Sequence, residues 1–214
     1  MQEYAHRRLE ALGRGSSRAV YAVSSGKVLK IAAPFHGEGS SDAGVAQNRA
    51  EVDIYTDPRT KPVVAAVYDS DSGYRWILSE AVRALSRPGE FESITGSELM
   101  QTVAAAAAVH SGSVTVREAV EAFSKEAEED FPGLEGLRSV AAPVSPKAIR
   151  MILELLKIGL KSGDLEDHYH WGKTAGGRLV LLDYGFTTGV YEEFYKENTT
   201  GSFEASGEDE DEDE

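Results

Sequence analysis

The sequence predicts an α+β fold, with a five-stranded antiparallel sheet in the N-terminal part and helices after it. Short alternating segments separated by turn residues fill residues 9–33 and 62–80, which is typical of strands. From residue 97 onward, an alanine-rich run, a capping box and an apolar stripe at helical spacing indicate helices. With 214 residues, 41% of them hydrophobic, the chain is long enough for one domain or two small lobes.

Five strands and one helix are predicted in the first 80 residues. The strands are expected at residues 9–14, 19–23, 27–32, 62–68 and 74–80, with turns at 24–26 and 69–73. A loop rich in Gly and Ser follows the third strand. The helix is expected to begin at Asp42 or Gly44 and to run through Tyr55, because Asp57 and Pro58 end the pattern there.

The second half of the chain is predicted to be mainly helical. The helices are expected at residues 97–110, 115–129, 145–162 and 187–198. Thr115 opens a capping box, and Ser145 is an N-cap followed by a proline. Gly163 is expected to end the third of these helices, so that Asp164 lies just past a helix end.

Two aspartates stand where their carboxylates can reach a shared point. Asp183 follows an apolar strand predicted at residues 179–182, after a hairpin around Gly176 and Gly177, and Asp164 follows the long helix. Mg²⁺ prefers oxygen ligands and keeps substrate phosphates among them, while a second carboxylate can orient or deprotonate a hydroxyl. The pattern therefore predicts a metal-phosphate site. Ordinary turns, which also use Asp and Gly, are the alternative explanation.

A glycine-containing turn near the N-terminus supports the same chemistry. Gly13 and Gly15 lie between the first two predicted strands, and Lys30 projects from the third. Glycines let a backbone approach a ligand closely, successive N–H groups can face phosphate oxygens, and the lysine supplies a positive charge. A tight turn with one surface lysine gives the same pattern, so this signal alone does not decide.

Several ordered segments resemble the protein kinase-like superfamily. Residues 12–21 (LGRGSSRAVY) and 28–31 (VLKI) resemble its glycine-rich loop and nucleotide-binding lysine. Residues 162–165 (SGDL) resemble the start of a catalytic loop in the form found in small-molecule and atypical kinases, and 183–185 (DYG) match the metal-binding motif. The resemblance extends over residues 9–186.

The resemblance implies a bilobal protein kinase-like fold. It places a five-stranded N-lobe at residues 1–82 and a minimal helical C-lobe at 83–200, before an acidic tail at 201–214. The later helices of an ordinary protein kinase have no counterpart here, so a small, truncated or atypical kinase is expected. Phages or mobile elements are the expected source of such a chain.

The resemblance also implies a role for each matched residue. Lys30 is expected to grip the ATP phosphates and to pair with Glu51, with Asp53 as the competing partner. Asp164 and Lys30 are the expected catalytic residues, and Asp183 the Mg²⁺ ligand. The implied ATP-binding residues are Gly13, Gly15, Ser16, Val20, Lys30, Glu51, Glu80 and Val82, the last two in a connector whose backbone faces adenine. The implied function is transfer of the γ-phosphate of ATP to a hydroxyl on a protein, a metabolite or the chain itself.

Three features depart from the family pattern. Arg18 stands where the third glycine usually lies, and is expected either to narrow the approach to the phosphates or to contact them. Tyr169 stands where an Asn usually binds a second Mg²⁺, which makes His170 an alternative metal or phosphate ligand. A transition-metal site formed by His168 and His170 with Asp164 or Asp167 is a further alternative. The C-terminal part is abbreviated.

These departures leave two other interpretations open. The first is a pseudokinase-like binding module with little or no catalysis, acting through protein partners. The second is a plain α+β domain in which the motifs coincide by chance.

Charge and composition limit the class of protein. Eight acidic residues, Glu204 and the run at 208–214, contribute to a net charge of −14, so the body is only mildly acidic. The tail is expected to be disordered and to serve solubility or contact a basic partner. No basic footprint for nucleic acid, signal peptide or membrane-length apolar run is found, so a cytoplasmic protein is expected. The absence of cysteine excludes disulfides and thiolate chemistry.

Overall fold

The computed structural model describes residues 2–24, 26–33, 41–124 and 144–196. It shows an α+β fold that combines a five-stranded antiparallel sheet, a small three-stranded sheet and several helices. In chain order the elements are α1 (Gln2–Arg8), β1 (Glu10–Arg14), β2 (Arg18–Ser24), β3 (Lys27–Ala32), α2 (Ser41–Thr56), β4 (Val67–Ser70), β5 (Trp76–Glu80), β6 (Arg83–Ala84), α3 (Gly89–Thr95), α4 (Leu99–His110), α5 (Val116–Ser124), α6 (Pro146–Lys157), α7 (Ser162–Glu166), a 3₁₀ helix (His168–His170), β7 (Trp171–Lys173), β8 (Leu179–Leu181) and α8 (Thr188–Phe194).

The five-stranded sheet has the order β1-β2-β3-β5-β4, which places β3 at its centre. Lys30 pairs with Val20 on one side and with Ile77 on the other. Because side chains alternate along a strand, Lys30 projects from the face opposite to Leu29 and Ile31. Those two neighbours are buried in an apolar cluster on the other face. Alternation along β3 thus places Leu29 and Ile31 in the apolar cluster and Lys30 on the opposite face of the sheet.

Helix α2 packs tightly against the sheet because it carries Gly44. A β-carbon at this position would overlap the carbonyl oxygen of Ser17 and lie 2.9 Å from atoms of Ala32. The close approach brings the middle of α2, including the fully buried Glu51, over the face from which Lys30 projects.

A second and larger apolar cluster is built from the helices and the small sheet. Helix α6 contributes a buried stripe of Ile149, Ile152 and Leu155, as its helical spacing predicts. Trp171 on β7 is fully buried and packs edge-on against Phe91, with ring centroids 5.3 Å apart. This cluster supports the segments that carry Asp164 and Asp183.

Most of the predicted elements are present. The five strands, the helix before the fourth strand and the β7-β8 hairpin are confirmed. The predicted capping box also forms, since the Thr115 amide donates to the Glu118 carboxylate at 2.7 Å and the Glu118 amide donates to the Thr115 hydroxyl at 3.3 Å.

The prediction for the fourth strand was wrong at its start. The strand begins at Val67 rather than at residue 62, because the Thr60 hydroxyl donates to the carbonyl of Ile54 at 2.5 Å and holds residues 57–63 in turns after α2. Val64 instead forms an isolated parallel bridge with Leu181, which belongs to β8 of the small sheet. The following turn is shifted by two residues, from the predicted 69–73 to 71–75, since Asp69 and Ser70 belong to β4 and β5 begins at Trp76 rather than at Tyr74.

The predictions for the segment before β7 were wrong in two places. Helix α6 ends at Lys157 rather than at Gly163, and Gly159 takes the left-handed conformation (φ 89°) that follows its end. Gly163 and Asp164 instead lie within the short helix α7. Residues 168–170 form a 3₁₀ helix, so the two histidines do not share a strand face.

Some elements escaped prediction or lie outside the described residues. Helices α1 and α3 are too short to show a clear apolar period. The predicted extension of α5 to residue 129, most of the loop at 34–44 and the acidic tail fall outside the described ranges. Within those ranges, no helix combines the length and apolar character needed to cross a bilayer.

Candidate nucleotide and metal site

A cavity of about 470 Å³ collects most of the residues that the sequence singled out. It lies where β2 and β3 face α7 and the residues that follow β8. Its lining residues are Leu12, Gly15, Ser16, Ser17, Arg18, Val20, Val28, Lys30, Gln47, Glu80, Val82, Asp164, His170, Leu182, Asp183 and Phe186. Gly13 and Glu51, also predicted to bind the nucleotide, are not among them.

Lys30 lies at the centre of the polar contacts in the cavity. Its Nζ donates to both carboxylate oxygens of Glu51, at 2.8 and 2.7 Å, and to the carbonyl oxygen of Leu182 at 2.7 Å. Glu51 is fully buried. Asp53, the other candidate partner of Lys30, is exposed, and its Oδ2 lies 3.8 Å from Arg49 Nε. The structure therefore brings Lys30 together with Glu51 rather than with Asp53.

Arg18 makes contacts that the sequence did not predict. One guanidinium nitrogen donates to Glu51 at 2.6 Å, and the other donates to the carboxylate of Asp183. Arg18 is only 5% exposed, and a weaker contact to the Asn48 side chain at 3.4 Å completes its surroundings. Burial alone would lower the pKa of Arg18, but the charges of Asp183 and Glu51 raise it above its usual value. The guanidinium is thus a permanent cation in the cavity.

Asp183 keeps an open side toward the cavity. Its side chain is 52% exposed although one oxygen is paired with Arg18. Burial would raise the pKa of this carboxyl, but the positive charges of Arg18 and Lys30 outweigh it and lower the pKa to about 2. Asp183 is therefore ionised throughout the neutral range.

Asp164 has the opposite electrostatic character. Its Oδ2 atom is buried and has no hydrogen-bond partner among the described residues. Burial raises the pKa of this carboxyl, His170 works against the rise, and the charge of Asp183 adds to it. The two carboxylates thus share one cavity while their pKa values are shifted in opposite directions, a pattern that marks acid-base sites.

His170 is held by the helix that carries Asp164. Its Nδ1 lies 2.8 Å from the carbonyl oxygen of Asp164, and because a carbonyl only accepts, Nδ1 is the donor. Tyr169, which the sequence resemblance aligns with a metal-binding Asn, is 53% exposed and donates its hydroxyl to Asp167 at 2.7 Å. The structure thus brings His170, and not Tyr169, to the cavity.

The oxygen donors fit one Mg²⁺ ion shared with a nucleotide. Asp183 offers a half-exposed carboxylate, and Mg²⁺ commonly takes one or two carboxylates together with phosphates and water. No group of three His, Cys, Asp or Glu side chains in the described ranges is arranged to hold a metal. The histidine-based transition-metal alternative therefore has no cluster in this part of the chain.

The glycine-containing turn closes one side of the cavity. The Gly15 amide donates to the carbonyl oxygen of Arg18 at 2.8 Å, so this N–H group stabilises the turn itself. Ser16 and Ser17 follow it on the cavity wall, and Val20 adds an apolar surface.

The end of β5 and the connector after it form another edge of the cavity. Glu80 and Val82 both line the cavity. The Glu80 carboxylate accepts a hydrogen bond from the Ala66 amide at 3.2 Å, and its Oε2 lies 3.4 Å from Arg178 Nη2. The charge of Glu80 is therefore paired with an arginine of this chain. Gly172 is required beneath the connector, since a β-carbon there would lie 2.7 Å from Val82 Cγ1 and 2.8 Å from the Arg83 carbonyl.

The residues after Asp183 are anchored to α2 and α8. Gly185 lies so close to α2 that a β-carbon would be 2.5 Å from the Gln47 carbonyl oxygen. The Gln47 side chain donates to the Tyr195 hydroxyl at 3.0 Å, and the Phe186 ring packs edge-on against that of Tyr195, with centroids 5.0 Å apart. These contacts hold the Asp183 segment against the helix that carries Glu51.

No protein-family model and no curated protein matches the sequence. Among solved structures, the chain is similar to WbdD bound to a kinase inhibitor, with 16% identity, a TM-score of 0.34, and coverage of 89% of this chain and 34% of that chain. The chain thus spans about a third of the length of the WbdD chain.

Two further structures are similar over most of this chain. The choline kinase LicA from Streptococcus pneumoniae matches with 12% identity and a TM-score of 0.34, covering 87% of this chain and 67% of that chain. A ternary complex of APH(2")-IIa with streptomycin and ATP matches with 11% identity and a TM-score of 0.35, covering 86% and 68%.

Proposed function

We propose that this chain is an ATP-dependent phosphotransferase of the protein kinase-like class, which transfers the γ-phosphate to a hydroxyl acceptor. One observation carries the proposal: Lys30 contacts both the buried Glu51 and the backbone just before Asp183, inside a cavity that Asp164 also lines. This arrangement unites a cation for phosphates, a carboxylate for Mg²⁺ and a second carboxylate for the acceptor. The proposed division is an N-lobe at residues 1–82 and a reduced C-lobe at 83–200.

Each residue has a distinct task in the proposed reaction. Lys30, held by Glu51, attracts the phosphate oxygens, and Val20 and Val82 provide apolar walls for the base. Asp183 would hold Mg²⁺, which when bound neutralises charge on the phosphates. Gly15 and Ser16 cover the phosphates from the turn.

Asp164 is proposed to receive the acceptor proton. As the acceptor oxygen forms its bond to the γ-phosphorus, the bond from that phosphorus to the β,γ-bridging oxygen breaks, ADP leaves, and the hydroxyl proton passes to the carboxylate. Burial raises the pKa of Asp164, which makes its carboxylate a stronger base than an exposed one.

A thermal-shift titration with ATP, with and without Mg²⁺, tests the proposal together with transfer of radiolabelled phosphate. A ligand that binds only the native state raises its apparent stability, so the wild type should show a shift that depends on Mg²⁺. Asp183→Ala should lose both that shift and the Mg²⁺-dependent transfer while keeping its fold. Asp53→Ala, which removes an exposed carboxylate outside the cavity, is the matched control and should keep both. Full transfer by folded Asp183→Ala would refute the assignment.

The Arg18 contact favours a second candidate function, a kinase-like binding module without catalysis. The Arg18 guanidinium already neutralises Asp183, as expected for a carboxylate that does not bind a metal. In that case ATP with Mg²⁺ would produce neither a thermal shift nor label transfer, and the chain would act by docking a protein partner.

A further inference from the structure

Arg18 connects two carboxylates that have separate tasks in the proposed reaction. One end of its guanidinium contacts Glu51, the partner of Lys30, and the other contacts Asp183, the proposed metal ligand. The side chain itself is only 6% exposed. The contact is therefore a built feature of the cavity rather than a surface ion pair.

Glu51 does not require Arg18 for its neutralisation. Lys30 Nζ already contacts both Glu51 oxygens, at 2.8 and 2.7 Å. The second cation instead balances Asp183, so that the two cations and two carboxylates are neutral without any metal. Adding Mg²⁺ at Asp183 while the guanidinium stays there would place like charges side by side in a partly buried cavity, which is costly.

We propose that Arg18 competes with Mg²⁺ for Asp183, so that metal loading requires the guanidinium to leave this carboxylate. The inference rests on the proposed function, because it assumes that a metal-nucleotide complex occupies the cavity. When it leaves Asp183, Arg18 keeps its contact to Glu51, and its freed nitrogen faces a cavity in which phosphate oxygens would become its new acceptors. Arg18 thus acts as a positioning residue that makes metal binding depend on the nucleotide.

The test is a Mg²⁺ titration at a fixed, saturating concentration of a non-hydrolysable ATP analogue, followed by thermal shift. Arg18→Met keeps an unbranched apolar side chain in place of the aliphatic part of the arginine and removes the charged guanidinium. We expect the Mg²⁺ concentration at half-saturation to fall about tenfold relative to wild type, which corresponds to about 1.4 kcal/mol. The matched control is Arg59→Met, which removes a cation paired with Asp57 outside the cavity and should leave the midpoint unchanged.

A second measurement covers the case in which Arg18→Met does not fold. The Nε–H NMR signal of Arg18, assigned by its loss in Arg18→Lys, should move in the wild type when Mg²⁺ and the analogue are both present. It should stay in place when Mg²⁺ is added alone.

The outcomes separate this inference from the proposed function. Nucleotide binding by the wild type, with an unchanged or weakened Mg²⁺ midpoint in folded Arg18→Met, overturns the competition alone. An Arg18 signal that does not move at saturation overturns it as well. Absence of any nucleotide binding by the wild type overturns both proposals.

Discussion

Lys30 Nζ lies 2.7 Å from the backbone carbonyl oxygen of Leu182, the residue immediately before Asp183. This contact joins the central strand of the large sheet to the end of the small one, across 152 positions of sequence. If the side chains of Lys30 and Asp183 pointed into different regions, no shared phosphate site would exist. Their convergence in one cavity is the condition on which the proposed chemistry depends.

Glu51→Gln is expected to destabilise the fold strongly. The substitution leaves Lys30 and Arg18 buried with one carboxylate fewer, and breaking a buried ion pair from one side costs about 3–5 kcal/mol. Urea unfolding should show this loss. Asp53→Asn, on an exposed face of the same helix, should change the free energy of unfolding by less than about 0.5 kcal/mol. Equal effects of the two substitutions would contradict the buried pairing.

Asp164→Asn is expected to raise stability at pH 7 while abolishing phosphate transfer. It removes a negative charge from a carboxyl that has one buried oxygen without a partner, for a gain of about 1 kcal/mol or roughly 2–4 °C in Tm. Since burial raises the pKa of Asp164 in the folded state, the wild-type carboxyl favours folding at low pH and loses that advantage as pH rises through its pKa.

The gain from Asp164→Asn should therefore shrink as pH falls into the acidic range. Thermal melts between neutral and acidic pH measure this trend. Glu166→Gln, which removes the same charge from an exposed position in α7 outside the cavity, is the control and should change the free energy of unfolding at pH 7 by less than about 0.5 kcal/mol. If Asp164→Asn melted below the wild type at pH 7, the carboxylate would stabilise the fold and the prediction would be wrong.

Gly185→Ala is expected to disturb the contact between the Asp183 segment and α2. The added β-carbon would lie 2.5 Å from the Gln47 carbonyl oxygen, and relief of such an overlap costs about 1–3 kcal/mol. Gly189→Ala, in α8, meets no atom closer than 3.9 Å and should stabilise the helix by about 0.5–1 kcal/mol. Chemical denaturation should therefore give changes of opposite sign. The same sign for both would contradict the close approach at Gly185.

Tyr184→Phe is expected to cost about 1–2 kcal/mol of unfolding free energy, because the buried Ala65 carbonyl loses its side-chain donor. The Tyr184 hydroxyl donates to that carbonyl at 2.6 Å. Tyr169→Phe removes an exposed hydroxyl that donates to Asp167, and should change stability by less than about 0.5 kcal/mol. Thermal or urea unfolding compares the two, and an equally mild effect at Tyr184 would argue against a structural role for its hydroxyl.

Local patterns in the sequence were sufficient for the elements that define the large sheet. Alternation around Lys30 predicted the central strand, and turn residues predicted the β7-β8 hairpin, because both signals arise from neighbours along the chain. The start of β4 was not accessible in this way. The Thr60 hydroxyl bond and the Val64 bridge to Leu181 depend on contacts made only in the folded chain.

By itself, the sequence determined which residues carry the candidate chemistry: one lysine on a strand, one glutamate on a helix, and two aspartates near the ends of elements. Only the tertiary structure decided how they are connected. It selected Glu51 over Asp53, placed Asp164 in a separate short helix, and put Arg18 between Glu51 and Asp183. The physical reason is that ion pairs between residues 21 to 165 positions apart depend on burial and packing, which no local pattern encodes.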